Sequence, residues 1–174
     1  FGPGAVGILN RVKGVHIVAC GTSYHAGLIA RYWIEEYCAI PCSVEIASEY
    51  RYRKGVVLDN SLFISISQSG ETADTLAAVR AAKEKTYLTT LAICNVPESS
   101  LVRESDLVLM TRAGQEIGVA STKAFTTQLA ALGLLTVVLA RYQGMEMAEE
   151  RRLTALLTDL PTMIEQVLTL DGKI

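Results

Sequence analysis

Hydroxyl and amide side chains crowd one short turn, which follows the apolar segment 61–66. Within six residues this turn supplies three hydroxyls and one amide: Ser67, Gln68, Ser69 and Thr72. Gly70 lets the backbone bend tightly, and the spacing predicts a helix from Ala73 to about Lys85. The first N–H groups of a helix lack intrahelical partners and lie at the positive end of its dipole. The turn therefore predicts a pocket for an anion with several oxygens, such as phosphate; a simple helix cap by Ser69 is the alternative.

The elements that must position this turn alternate between strands and helices. Short apolar runs predict five strands, at about 15–20, 43–47, 61–66, 87–94 and 106–111. Helical spacing predicts further helices at about 23–38, 121–142 and 146–170, with shorter helical segments at 48–55 and 99–103. Pro161 is expected at a break or in a first turn of the last helix. This alternation predicts an α/β fold: a doubly wound parallel sheet of about five strands with helices on both faces, in a flavodoxin-like three-layer α/β/α arrangement.

Two other turns are predicted to reach the same edge of the sheet as residues 67–72. Residues 20–23 follow the first strand, and residues 118–123 follow the fifth. In doubly wound sheets ligands bind outside the carboxyl ends of the strands, where the strand order reverses. Turns rich in hydroxyls that converge there suit a phosphorylated, polyhydroxylated ligand.

Composition narrows the possible functions. A chain of 174 residues with 50% hydrophobic residues predicts a single domain with a substantial core. The net charge is −2 and no basic cluster is present, so we expect no nucleic acid partner. The longest apolar run, residues 129–140, is too short to cross a bilayer, so we expect no membrane partner.

Metal binding and disulfide bonds are not expected either. The chain has two histidines and four cysteines, and no Cys-x-x-Cys pair of a zinc site. The cysteines are interpreted as free thiols in a reducing cytoplasm: Cys20, Cys38, Cys42 and Cys94. Because no dinucleotide fingerprint follows the first strand, we expect no cofactor.

Several segments together resemble the sugar isomerase (SIS) family of phosphosugar-binding domains. The similar segments are 19–24, 67–75 and 116–126, with supporting matches at 45–53 and 92–96. The resemblance covers about residues 16–142. It implies an N-terminal lead-in at 1–14, a SIS phosphosugar-binding domain at 15–144, and a C-terminal helix at 145–174 that leads to a second SIS domain outside this chain.

The resemblance also implies which residues bind the substrate. Four residues of one turn would hold the phosphate through hydroxyls and main-chain amides: Ser67, Gln68, Ser69 and Thr72. Residues of the first turn would meet sugar hydroxyls or the phosphate: Gly21, Thr22 and Ser23. Residues of the third loop would line the sugar: Val119, Ala120 and Ser121. No residue of the chain is assigned a catalytic role.

The activity implied by the resemblance is conversion of fructose 6-phosphate and glutamine to glucosamine 6-phosphate and glutamate. The enzyme would also contain a glutaminase domain and a second SIS domain, and would form a homodimer. Because the second SIS domain would supply the general base, we expect this chain to bind sugar phosphate and to be inactive alone. The alternative is a non-catalytic SIS domain that senses sugar phosphate in a regulator.

Other residues near the turns are interpreted as structural. Lys123 is expected to be solvated or paired with a carboxylate, and His25 to be structural or part of an interface. Apolar residues at 133–139 and 153–168 indicate contacts with a sister domain or a second subunit.

Overall fold

The computed structural model describes residue 1, residues 4–117 and residues 121–173. Five strands form one sheet in the order β2-β1-β3-β4-β5, and every neighbouring pair is parallel. The strands are β1 (Gly14–Ala19), β2 (Cys42–Ile46), β3 (Ser61–Ser67), β4 (Thr89–Cys94) and β5 (Leu107–Met110). The predicted five-stranded parallel sheet is therefore confirmed.

Helices cover both faces of the sheet and complete the predicted three layers. They are α1 (Ala5–Leu9), α2 (Gly21–Cys38), α3 (Ala47–Tyr50), α4 (Ala73–Lys83), α5 (Ser100–Glu104), α6 (Lys123–Tyr142) and α7 (Met147–Leu168), followed by a 3-10 turn at Asp171–Lys173. The first, second and sixth helices pack on one face, and the third, fourth and fifth pack on the other.

The central strands are apolar along their length because both of their faces are buried. Ile17 of β1 and Ile64 of β3 contribute to the core beneath α2 and α6. Their neighbours Val18 and Phe63 point the opposite way and pack with residues of α3 and α4. All six residues of β1 and all seven of β3 are buried. These two strands therefore form a rigid centre from which the following turns project.

Two segments differ from the pattern predicted from sequence. Pro161 lies inside α7, so the expectation of a break or first turn at this residue is wrong. A proline removes one helix hydrogen bond, but the turns on either side can keep theirs, and the helix then continues. In addition, α1 lies within the N-terminal lead-in and buries Ala5 and Leu9 against the core.

By length and composition alone, helix α6 could cross a membrane. The helix extends beyond the apolar run 129–140, which by itself is too short to do so. Half of its most apolar part is buried inside the fold, where it packs against α2. Its apolar character is therefore accounted for by its position in the core.

Candidate functional site

A cavity of about 240 Å³ lies at the point where the strand order reverses. From β1 the chain moves outward to β2 and then crosses back to β3, so the turns after β1 and β3 diverge from adjacent strand ends. The cavity lies between these turns and the start of α6. Its lining residues are Cys20, Ser23, Ile66, Ser67, Gln68, Ser69, Thr72, Thr75, Glu116 and Ser121.

The turn after β3 is organised by bonds between its backbone and its own serines. The Gly70 N–H donates to Ser67 Oγ at 3.0 Å, and the Glu71 N–H donates to Ser69 Oγ at 3.2 Å. Thr72 Oγ1 lies 3.5 Å from Ser67 Oγ, so one of these two hydroxyls can donate to the other. Since each serine oxygen already accepts an N–H, O–H protons remain to be donated to a ligand. Ser69 thus bonds within the turn. The alternative interpretation, in which Ser69 caps α4, is wrong.

Glycine is the residue that position 70 of this turn requires. Its φ is +69°, in the left-handed region that favours glycine. A Cβ added at this position would lie 2.1 Å from Ser99 Oγ and 2.9 Å from Cys94 Sγ. Backbone conformation and close packing therefore both require glycine, and they hold the serines of the turn in place.

The N-terminus of α4 adds backbone donors to the cavity. The Thr72 side chain makes no capping hydrogen bond, which leaves the first N–H groups of α4 available to a ligand. Asp74 in this first turn would repel an anion, but its Oδ1 lies 2.7 Å from Nη1 of Arg51. The guanidinium offsets the negative charge, so the positive end of the helix can act on an anion in the cavity.

Two buried hydroxyls at the cavity have no hydrogen-bond partner among the described residues. They are Thr75 Oγ1 on α4 and Ser121 Oγ ahead of α6, and both residues line the cavity. Leaving such a group unpaired costs about 1–3 kcal/mol. Their position lets a polar ligand in the cavity complete their hydrogen bonding.

The cavity contains donors but few ionised groups. None of its lining residues in the described part of the chain is Lys, Arg or His, and its one acidic residue is Glu116. Glu116 Oε1 accepts the N–H groups of Thr122 at 2.9 Å and Ala124 at 3.4 Å. These bonds, the first above all, hold the pKa of the Glu116 carboxyl below its usual value. Glu116 is therefore an ionised anchor for the start of α6.

The cavity contains six of the residues that the resemblance implied: Ser23, Ser67, Gln68, Ser69, Thr72 and Ser121. Gly21 and Thr22 begin α2 and are exposed, next to the cavity wall but not part of it. Val119 and Ala120 lie outside the described residues.

Thr75 is one of four lining residues outside the predicted site; the others are Cys20, Ile66 and Glu116. Thr75 stands one helical turn after Thr72, and residues three apart share a helix face. This spacing was the signal that could have identified it.

Two basic residues near the cavity do not line it. Lys123 is exposed to solvent, its Nζ donates to the carbonyl oxygen of Gln115 at 2.7 Å, and it is not among the residues that line the cavity. His25 is exposed and its ring packs edge-on against Tyr24. Within the part of the chain that the structure describes, no three His, Cys, Asp or Glu side chains cluster as metal ligands would.

A doubly wound parallel sheet with a donor-lined cavity at its switch point is typical of α/β domains that bind a ligand at the carboxyl ends of their strands. The SIS domain family matches residues 8–138 of the chain. The chain therefore belongs to the SIS domain family.

Sequence relatives extend over the whole chain. It is 62% identical over 175 residues to glutamine--fructose-6-phosphate aminotransferase [isomerizing] of Pseudomonas syringae pv. tomato, and 58% identical over 174 residues to that of Escherichia coli K12. These matches cover 100% of this chain and 29% of each relative.

A solved structure of a related enzyme has the same fold as this chain. The C-terminal domain of glucosamine-fructose-6-phosphate aminotransferase from Francisella tularensis superimposes with a TM-score of 0.94 and 54% identity. The match covers 97% of this chain and 48% of that one.

Proposed function

We propose that this chain is the phosphosugar-binding part of an isomerising glutamine--fructose-6-phosphate aminotransferase. Its cavity would hold the phosphate of fructose 6-phosphate or glucosamine 6-phosphate. The observation that carries the proposal is the turn at 67–72, where protein N–H groups occupy the serine oxygens and leave O–H donors for an anion. The full-length relatives that match the whole chain support this choice of substrate.

The phosphate is held by the hydroxyls of Ser67, Ser69 and Thr72 together with the first N–H groups of α4. These donors are neutral, so the dipole of α4 and several charge-assisted hydrogen bonds take the place of a lysine or arginine. Gln68 also lines the phosphate end of the cavity.

The sugar extends from the phosphate toward the turn after β1 and the start of α6. Gly21, Thr22 and Ser23 would contact it or the phosphate on one side, and Ser121 on the other. Val119 and Ala120 belong to this sugar-binding set through the resemblance alone.

Chemistry on the bound sugar requires groups from the rest of the enzyme. Moving a proton from C1 to C2 needs a general base within hydrogen-bond reach of the carbon acid. Among the described residues Glu116 is the one carboxylate that lines the cavity, and its Oε1 already accepts backbone N–H groups at the start of α6. A second SIS domain would supply the base, and a glutaminase domain would supply ammonia.

An apolar groove supports a contact of this chain with another domain. It encloses about 440 Å³ between α2, α6 and α7, with Trp33, Leu129 and Leu157 among its lining residues. Helix α7 has no buried residue, and apolar side chains such as Val167 are largely exposed on it. The second SIS domain and a homodimer contact would cover this surface. Four unpaired thiols suit a reducing cytoplasm.

A thermal-shift titration of the 174-residue chain tests the proposed ligand. Fructose 6-phosphate, glucosamine 6-phosphate, fructose and inorganic phosphate are compared in parallel. A ligand at 100 times its dissociation constant raises the free energy of unfolding by about 2.7 kcal/mol. We expect both sugar phosphates to stabilise the chain more than phosphate or fructose does.

Two variants test whether the sugar phosphate binds in the cavity. Ser69→Ala and Thr72→Ala should weaken the sugar-phosphate shift, whereas Ser43→Ala, at an exposed position of β2, should not change it. No shift with any of the four compounds, or equal shifts in all three variants, would overturn the proposal.

A further inference from the structure

A buried side-chain contact links α6 to Ser23, which the first turn of α2 contributes to the cavity. Gln128 Nε2 lies 3.0 Å from Ser23 Oγ, although 105 residues separate the two in sequence. Gln128 is 1% exposed and does not itself line the cavity, whereas Ser23 does. Gln128 can therefore affect a ligand in the cavity only through another residue.

The chemistry of the amide sets the direction of this hydrogen bond. An amide nitrogen donates only, so Ser23 Oγ accepts, and the Ser23 O–H proton remains for an acceptor in the cavity. The same arrangement occurs at Ser67 and Ser69, whose oxygens accept backbone N–H groups of their own turn. At Ser23 a side chain supplies the N–H, and this donor can be changed by mutation.

We propose that Gln128 is a positioning residue that makes Ser23 a hydrogen-bond donor to the bound sugar phosphate. The inference rests on the proposed function, because it requires an oxygen acceptor in the cavity. Gln128 Oε1 has no hydrogen-bond partner among the described residues. Burying an amide oxygen without a partner costs free energy, and leucine or methionine at this position would fill the space without that cost. The hydrogen bond of the amide nitrogen is therefore what glutamine adds at this position.

The test measures fructose 6-phosphate affinity of the 174-residue chain by calorimetry, together with the melting temperature of every variant. Gln128→Met keeps the approximate volume and removes the N–H, and we expect about fivefold weaker binding. Ser23→Ala should weaken binding by a similar factor. The double variant should bind no more weakly than Ser23→Ala alone, because both changes remove one interaction.

Thr136→Val is the control for packing within α6, since the Thr136 hydroxyl donates to the Leu132 carbonyl at 2.8 Å and lies outside the cavity lining. It should lower the melting temperature and leave the affinity unchanged.

Separate outcomes distinguish this inference from the proposed function. If the unmodified chain binds fructose 6-phosphate and Ser23→Ala weakens binding, but Gln128→Met changes only the melting temperature, the positioning role is wrong and the proposed function stands. Additive losses in the double variant also overturn the positioning role. If the unmodified chain binds no sugar phosphate, both are wrong.

Discussion

Two buried polar clusters among the described residues differ in how far their groups bond to each other. At the cavity, Thr75 Oγ1 and Ser121 Oγ have no partner among the described residues. The second cluster, here called the His16 cluster, comprises His16, Glu45, Tyr50 and Tyr87 beneath α3 and α4. Its side chains bond mainly to one another.

The His16 cluster is held by short contacts within the fold. His16 Nδ1 lies 2.7 Å from the Tyr87 hydroxyl, which lies 3.3 Å from the Tyr50 hydroxyl. On its other side, His16 Nε2 lies 3.1 Å from Glu45 Oε1, without the geometry of a hydrogen bond. The rings of Tyr50 and Tyr87 also pack against Phe63.

The difference shows how this fold separates stability from binding. Polar groups that bond to each other inside the protein contribute to the folded state and offer little to a ligand. Hydroxyls left without partners reduce stability until a ligand supplies the missing hydrogen bonds. Mutations in the two clusters should therefore affect stability and affinity differently.

The largest expected effect is at Gly70, which shapes the cavity. In Gly70→Ala the new Cβ would meet Ser99 Oγ at 2.1 Å and would also occupy a left-handed conformation. We expect the free energy of unfolding to fall by about 3 kcal/mol, and sugar-phosphate binding to be lost, because the turn must move. Urea unfolding and calorimetry measure the two quantities.

Gly114→Ala is a matched control for backbone strain. Gly114 has a similar φ of +71°, but no atom of the described residues lies within 4 Å of the added Cβ. It should lose only about 1 kcal/mol and keep its affinity. Equal losses in the two variants would mean that strain, and not the packing against Ser99, governs the Gly70 position.

In the His16 cluster, Tyr87→Phe removes one hydroxyl and leaves His16 Nδ1 without its 2.7 Å partner. Because His16 is buried, we expect a loss of about 1–2 kcal/mol in unfolding free energy with no change in ligand affinity. Tyr52→Phe at an exposed site is the control and should change neither. A weakened affinity in Tyr87→Phe would show that the two clusters are coupled.

Thr75→Val should produce opposite changes in stability and binding. Valine has nearly the shape of threonine and lacks the buried, unpartnered hydroxyl, so the ligand-free chain should gain about 1 kcal/mol. Sugar-phosphate affinity should fall at the same time. Thr90→Val is the contrasting control, because Thr90 Oγ1 donates to Asp106 Oδ2 at 2.7 Å and its loss should destabilise the chain. A Thr75→Val chain that is destabilised to the same degree would contradict the interpretation of the cavity.

The smallest expected effect is a pH dependence from His16. Burial lowers the pKa of His16 from its usual 6.5; Arg53 and Lys85 act in the same direction, whereas Glu45 opposes them. The unfolded chain therefore takes up the proton more readily. The contribution of His16 to the free energy of unfolding is fully present above about pH 6.5. It falls as the pH drops toward the lower pKa of the folded state, with a slope below about 1.4 kcal/mol per pH unit.

Urea unfolding between pH 7.5 and 5.5 measures this slope, and the other histidine provides the control. His25 is exposed, so His25→Asn should retain the slope. Unfolding free energies that do not change over this interval would show that His16 does not titrate differently in the folded and unfolded chains.

The sequence pattern predicted the sheet well because the buried strands are unusually apolar. Strands β1 and β3 are recognisable as short apolar runs, and each is followed by a turn with glycine and hydroxyl residues. Pro161 was misjudged because a proline's effect depends on the turns around it, and α7 continues through it. The spacing of Thr75 three residues after Thr72 indicates a shared helix face, but whether that face lines a cavity or the core depends on how α4 packs on the sheet.

The order of apolar and polar residues along the chain thus determined the parallel α/β fold and the turns that reach its carboxyl edge. That order could not show which serine oxygens already accept an N–H, nor which hydroxyls lack partners. Those properties depend on contacts between distant segments, such as Gln128 with Ser23 and Arg51 with Asp74. The tertiary structure decided them, because hydrogen bonding depends on distances and directions that form only when the helices pack on the sheet.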